Sequence, residues 1–333
     1  MNTTNTLEKP TLKHVDVPEK SNTLLKLAER YKKFDRIFKS VTLTTALVVL
    51  LIVLSVFVVL IKESSLAIST FGFFDFITSM DWDPYRDLYG AAHVLFGTLF
   101  VTILSLILAI PTSIGISIFI TQVLPAKFQR AFSTAIELLA AIPSIIYGMW
   151  GLFILAPIMA DHIEPFLQET FGEVPGLSIL FEGAPIGIDI LTASVILSIM
   201  IIPFIASITK EAFDQIPIML KESAFALSAT KWEAIKDVMI PFIKKSILGG
   251  IILAFGRALG ETMAVAFVLG NNHDISFSLL NATATITVTL ANEFNEAHTD
   301  LYLSSLNYLA LLLFVLSFGL LSLAKYFTNR KKA

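Results

Sequence analysis

Six stretches of twenty or more residues in this chain are almost purely apolar, running from about Val41 to Ile61, Ala92 to Ile120, Ala131 to Met159, Ile186 to Ile208, Ser246 to Gly270 and Ser304 to Phe327. A helix needs about 20 residues to cross the hydrocarbon core of a bilayer, and backbone polar groups within lipid must be paired inside the segment itself. The chain is therefore expected to be an all-α, polytopic membrane protein with six transmembrane helices. The residues outside these runs do not dilute that reading, because hydrophobic residues make up 55% of the chain and charged ones only 15%, with a mean hydropathy of +0.76. Pro111, Pro143 and Pro203 fall within the runs and predict kinks. The chain has no cysteine, which excludes disulfides, thiolate metal sites and a cysteine nucleophile.

Lysine and arginine set the expected orientation. Of the 24, all but Lys62, Arg86 and Arg257 precede the first run, lie at or beyond the end of the last, or fall between runs two and three or four and five. Both termini are thus expected in the cytosol. Residues 1–23 are polar and aperiodic, a disordered cytosolic tail. From Leu24 to Lys39 basic residues alternate with apolar ones at helical spacing, which predicts an amphipathic helix on the inner membrane surface. The organisation expected is a tail and interfacial helix over 1–40, a membrane domain over 41–328 that includes a cytosolic loop at 210–245, and a short basic cytosolic tail at 329–333.

That loop is unusually long for a connection between spans. Ala224, Leu227, Trp232, Ile235 and Val238 recur in it at helical spacing, so a surface outside the membrane has to cover them. Glu222, Ala224, Val238, Ile240 and Pro241 fall where the EAA loop of ABC-importer permeases has its acidic, small and apolar residues and closing proline. The stretch resembles a coupling helix. Ser223 and Ser228 depart from that pattern, the latter standing where the family has glycine. Serine takes positive φ only at a steric cost, so hydrogen bonding from Ser228 or Thr230 is expected to help close the turn.

The fifth run carries Gly249, Gly250, Gly256 and Gly260 among alanines, a small-residue pattern that lets helices approach closely. Arg257 and Glu261 stand in it four residues apart, hence on one face of a continuous helix and near the bilayer midplane. Two readings stay open. Either the two neutralise each other and fix how the helix packs, or Arg257 offers its guanidinium to an oxyanion in an aqueous path while Glu261 orients it.

GRALGETMAVAFVLGN (Gly256 to Asn271), ELLAAIPSIIYGMWG (Glu137 to Gly151) and TASVILSIMIIPFIASITKEAF (Thr192 to Phe213) are similar to the PstC-type permease of the phosphate-specific ABC importer. The resemblance covers most of residues 40–328. It implies a type I ABC importer permease architecture and a bacterial inner-membrane location. It also implies a PstA-type permease partner, two copies of a PstB-type ATPase, and a PstS-type phosphate-binding protein. In that frame Arg257 and Glu261 belong to the substrate pathway, and Glu222, Ala224, Ser228 and Pro241 to ATPase coupling. No enzyme activity is expected of this chain, which has neither a G-x-x-x-x-G-K-[ST] phosphate loop nor an H-E-x-x-H metal pair. ATP is expected to be used by a partner subunit, with no cofactor or metal held here, membrane lipid as surroundings, and no nucleic-acid partner.

Glu137 reads as an acid within span three that lines an inner gate, meets another subunit or is held in local hydrogen bonds. His93, His162, His273 and His298 lack ligand spacing and read as ordinary loop or interfacial residues, with Trp82, Tyr147 and Trp150 as interfacial anchors. The alternating threonines from Thr283 to Thr289 fit a strand or a short re-entrant segment equally. Permeases for sulfate, molybdate or phosphonate are the nearest alternatives. An ion-coupled secondary transporter, with Glu137 or Glu261 carrying a proton, is the alternative from another class.

Overall fold

The computed structural model describes residues 20–330, so the tail expected at residues 1–23 and the basic tail at 329–333 lie largely outside the described residues. Among the described residues, six helices are long and apolar enough to cross a membrane: Phe34–Glu63, Ala92–Val123, Ser144–Phe171, Ile190–Asp214, Lys231–Leu259 and Asp300–Tyr326, here called spans one to six. Two compact units divide the chain, residues 1–58 and 59–333. The basic stretch and the apolar stretch form one unbroken helix, Lys20–Glu63, with no turn between them. The expected interfacial helix is therefore continuous with span one.

Within the second unit span four is the most enclosed helix, with 67% of its most apolar window buried. Span two packs along it through a row of small residues, Ser105, Ala109, Ser113 and Ser117, all buried. Their size brings the backbones close enough for hydroxyls to bridge them. Ser113 Oγ donates to the Ile202 carbonyl at 3.2 Å and Ser117 Oγ to the Ala206 carbonyl at 2.9 Å. The core beside this seam is aliphatic, built from Ile196, Leu197, Met200 and Ile201 of span four with Ala254 and Ala258 of span five. Ser304 of span six donates to the Glu63 carbonyl and accepts the Ala67 N–H.

The third and fifth spans depart from the apolar runs. The helix Ala126–Ala140 stops before Pro143, and span three starts at Ser144. Proline has no N–H to continue a helix and biases the preceding residue away from helical geometry, while apolar composition runs unbroken across it. Glu137 is consequently exposed on the separate, amphipathic helix and is not in span three. Span five begins at Lys231, inside what reads as loop, and ends at Leu259, where Gly260 caps it. The expected loop at 210–245 is a helical hairpin: span four continues to Asp214, a turn leads to the helix Ile218–Ala226, and a second turn leads directly into span five.

Candidate functional site

The hairpin is closed at Ser228. Its φ of +60° is the left-handed conformation that glycine takes without strain. Ser228 N–H donates to the Phe225 carbonyl at 2.9 Å and Ala229 N–H to the Ala224 carbonyl at 3.1 Å. These bonds are the paired 5→2 and 6→1 bonds of a Schellman helix end. Serine therefore holds the glycine geometry, with backbone bonds and not its hydroxyl closing the turn. Thr230 starts the next helix in a capping box: its hydroxyl accepts the Glu233 N–H at 3.3 Å, and Glu233 Oε2 accepts the Thr230 N–H at 2.7 Å. Eight residues after Glu233, Pro241 continues the run without breaking it, because the preceding turn Ala234–Met239 is wound as a π-helix.

The apolar residues of the hairpin divide between two surfaces. Ala224, Ala234, Ile235 and Met239 are buried against Phe213 and Ile216 at the end of span four. Ile218, Met219, Leu227 and Trp232 remain 61–85% exposed, with Glu222 exposed among them. The face that needs an external cover is thus narrower than helical spacing implies. Ala224 and Ile235 serve the chain's own packing.

Arg257 lies in the last turn of span five, exposed on the bundle surface, with its guanidinium carbon 4.5 Å from the centroid of the Phe204 ring of span four. A guanidinium stacked on a ring keeps its N–H edge free for hydrogen bonding in plane, and the carbonyl end of a helix favours a cation. Among the described residues it forms no ion pair. The expected pairing with Glu261 is not made, since span five ends between them and the four-residue spacing no longer places them on one helix face. Glu261 instead caps the next turn, Oε1 accepting the Ala264 N–H at 3.2 Å, and its own carbonyl accepts the Thr287 hydroxyl at 2.6 Å. Phe204, not Glu261, sets the orientation of the arginine.

Thr287 belongs to a segment that folds back into the bundle. Residues Thr283 to Thr289 are all buried, which a two-faced strand would not be, and Thr285 caps the helix Ile286–Glu293 by accepting the Val288 N–H. Thr98 of span two accepts the Ile286 N–H at 3.0 Å. Thr98, Thr102, Thr285, Thr287 and Glu261 line a cavity of about 10 Å³, room for one water at most.

Residues 113–332 match the family "Binding-protein-dependent transport system inner membrane component". The phosphate transport system permease protein PstC of Mesorhizobium japonicum is 48% identical over 90% of this chain and 92% of its own length. That of Pasteurella multocida is 46% identical over 89% and 92%. The chain belongs to the PstC-type permease family. Its fold is shared more widely: a bacterial ABC transporter involved in the import of the acidic polysaccharide alginate, 16% identical, aligns with a TM-score of 0.58 over 92% of this chain and all of its own.

At the end of the permease opposite Glu222, the structure assembles a cluster that sequence spacing did not reveal. His273 Nδ1 and His93 Nε2 are 2.8 Å apart although 180 residues separate them. His273 Nε2 lies 3.4 Å from Glu293 Oε1, while Glu293 Oε2 accepts from Trp82 Nε1 at 2.8 Å and from the Tyr302 hydroxyl at 2.7 Å. Trp82 is thus a hydrogen-bonded partner and stacks on His273. Burial works to raise the pKa of Glu293, but donation from His273, Tyr302 and Trp82 outweighs it and holds the carboxyl below the usual glutamate range. Tyr85, His298 and Glu296 join this cluster around a cavity of about 630 Å³. Each contributing residue is unremarkable on its own segment, and only the fold brings them together.

Proposed function

We propose that this chain is the PstC-type half of the membrane pore of an ATP-driven phosphate importer, and that it converts motion of an ATPase dimer into access for the anion. One observation carries the mechanism: an unbroken helical run, Lys231–Leu259, begins at the hairpin beside Trp232 and ends in the turn that presents Arg257. At about 1.5 Å per residue, a push at the hairpin is carried roughly 40 Å through one rigid element. Substrate assignment rests on the relatives, named phosphate transport permeases, and on an exposed guanidinium suited to an oxyanion.

In this reading Glu222, the exposed apolar side chains around it, Ser228 and Pro241 form and shape the surface docked in a PstB-type ATPase, with Ala224 packed beneath. Arg257 faces a pathway shared with a PstA-type permease, and Glu261 shapes the adjoining turn. Exposed Glu137 meets another subunit. The hairpin and both termini lie in the cytosol and the chain in a bacterial inner membrane, following the lysine and arginine distribution. A PstS-type protein delivers phosphate at the opposite end. ATP is bound and hydrolysed by the ATPase chains, and this one carries no cofactor. The test is phosphate uptake in cells carrying Glu222→Lys, with membrane levels of the protein measured in parallel. Uptake should be lost at unchanged protein level; normal uptake would remove the hairpin from the coupling path.

A further inference from the structure

Two acids meet in the interior at the end of span four opposite the hairpin. Glu164, late in span three, and Asp189, immediately before span four, are both 0% exposed. Each has one oxygen satisfied by backbone: Glu164 Oε2 accepts the Gly187 N–H at 3.2 Å and Asp189 Oδ1 the Thr192 N–H at 2.8 Å. Their other oxygens, Glu164 Oε1 and Asp189 Oδ2, are buried without a well-formed bond to any other group. Gly187 and Thr192, the backbone donors to the two acids, bracket Asp189 in one short stretch, which brings both carboxyls to the loop before span four, and the Thr192 hydroxyl there is likewise buried without a hydrogen-bond partner among the described residues.

Neither acid forms an ion pair among the described residues. Asp161 and His162 lie on the preceding turn, Glu169 on the same helix as Glu164, Glu173 in the turn after it and Glu182 in the connecting loop, none of them in an ion pair with either acid. On the elements packed against span four, His93, Arg257, Lys127, Arg130 and Glu137 likewise form no ion pair with the two acids. Two adjacent carboxylates in a low-dielectric site repel strongly, whereas one proton between them forms a charge-assisted O–H···O⁻ bond. Asp189 caps the start of span four, where backbone N–H groups and the helix dipole favour negative charge. The approach is built into the backbone: Gly187 has a φ of +70°, and a Cβ there would collide with the Ala156 carbonyl of span three.

We propose that Glu164 and Asp189 form a proton-binding site that holds one shared proton and latches the end of span three to the start of span four. Proton binding here is an equilibrium with water; no bond other than O–H forms or breaks. Asp189 stands just outside span four, and burial holds its carboxyl above the ordinary aspartate value of about 3.9, so the folded chain keeps a proton that an unfolded one releases; stability declines as pH rises from about 3.9 until the pair ionises, and is flat beyond.

The experiment uses the purified full-length permease in lipid nanodiscs, read by infrared spectroscopy and thermal unfolding across pH. Wild type minus Glu164→Gln at neutral pH should show the C=O stretch of one protonated carboxylic acid. The variant should also lose this component of the decline in Tm, because its amide donates to Asp189 with no proton to release. Asp189→Asn, whose side-chain oxygen still caps span four, should give the same two results and serves if Glu164→Gln does not assemble. Absence of the carboxylic band, or a decline in Tm unchanged in either folded variant, would overturn the proposal.

Discussion

Ser228 shows how a single residue can keep a family geometry with different chemistry. Its backbone holds a glycine conformation, and removing the Cβ should relieve the steric cost of the left-handed region, offset in part by glycine's greater chain entropy. Ser228→Gly is expected to stabilise the protein by about 0.5–1 kcal/mol, read as a rise in Tm with uptake retained. Glu293 gives a prediction of opposite pH sense to the buried acid pair. A carboxyl held below its ordinary range contributes stability that is present above about pH 4.3 and is lost as pH falls through its lower folded value. Glu293→Gln should therefore lower Tm at neutral pH and flatten its fall in acid. The departure at Ser228 was legible in the sequence because neighbouring residues fixed the frame. The histidines were not: no local spacing records that His93 and His273 meet across 180 positions.

At the scale of elements, the number and order of spans follow from hydropathy, but their ends do not. Composition runs evenly through Pro143 and Gly260, so apolar content alone merged the helix Ala126–Ala140 with span three and carried span five past its end. These two helix ends take Glu137 out of the spans and Glu261 off the face of Arg257. The segment from Thr283 to Thr289 is the harder case, because its alternation has two physical solutions and only packing against span two selects between them. Its seat depends on Gly97, where a side chain would collide with the Ala284 carbonyl. Gly97→Val should unseat the segment at a cost of about 1–3 kcal/mol, with increased hydrogen exchange at 283–293 as the local readout. Unchanged exchange there would place the weight of that contact elsewhere.

For the whole molecule, the hairpin and Arg257 are the two ends of one helical run, and importer function requires them to act together. Arg257→Gln keeps the helix but removes the charge, so it should abolish uptake at unchanged protein level, whereas a loss of assembly would assign the arginine to packing. Glu222→Lys should act at the other end. The most direct measurement of the central claim is ATP hydrolysis by the reconstituted complex of this permease, its partner permease, the ATPase and the binding protein, with phosphate, sulfate or molybdate supplied. Stimulation by phosphate alone, lost in both Glu222→Lys and Arg257→Gln complexes that still assemble, is the predicted result. Uptake driven by a proton gradient with no associated ATPase, or phosphate stimulation that survives both substitutions, would contradict it.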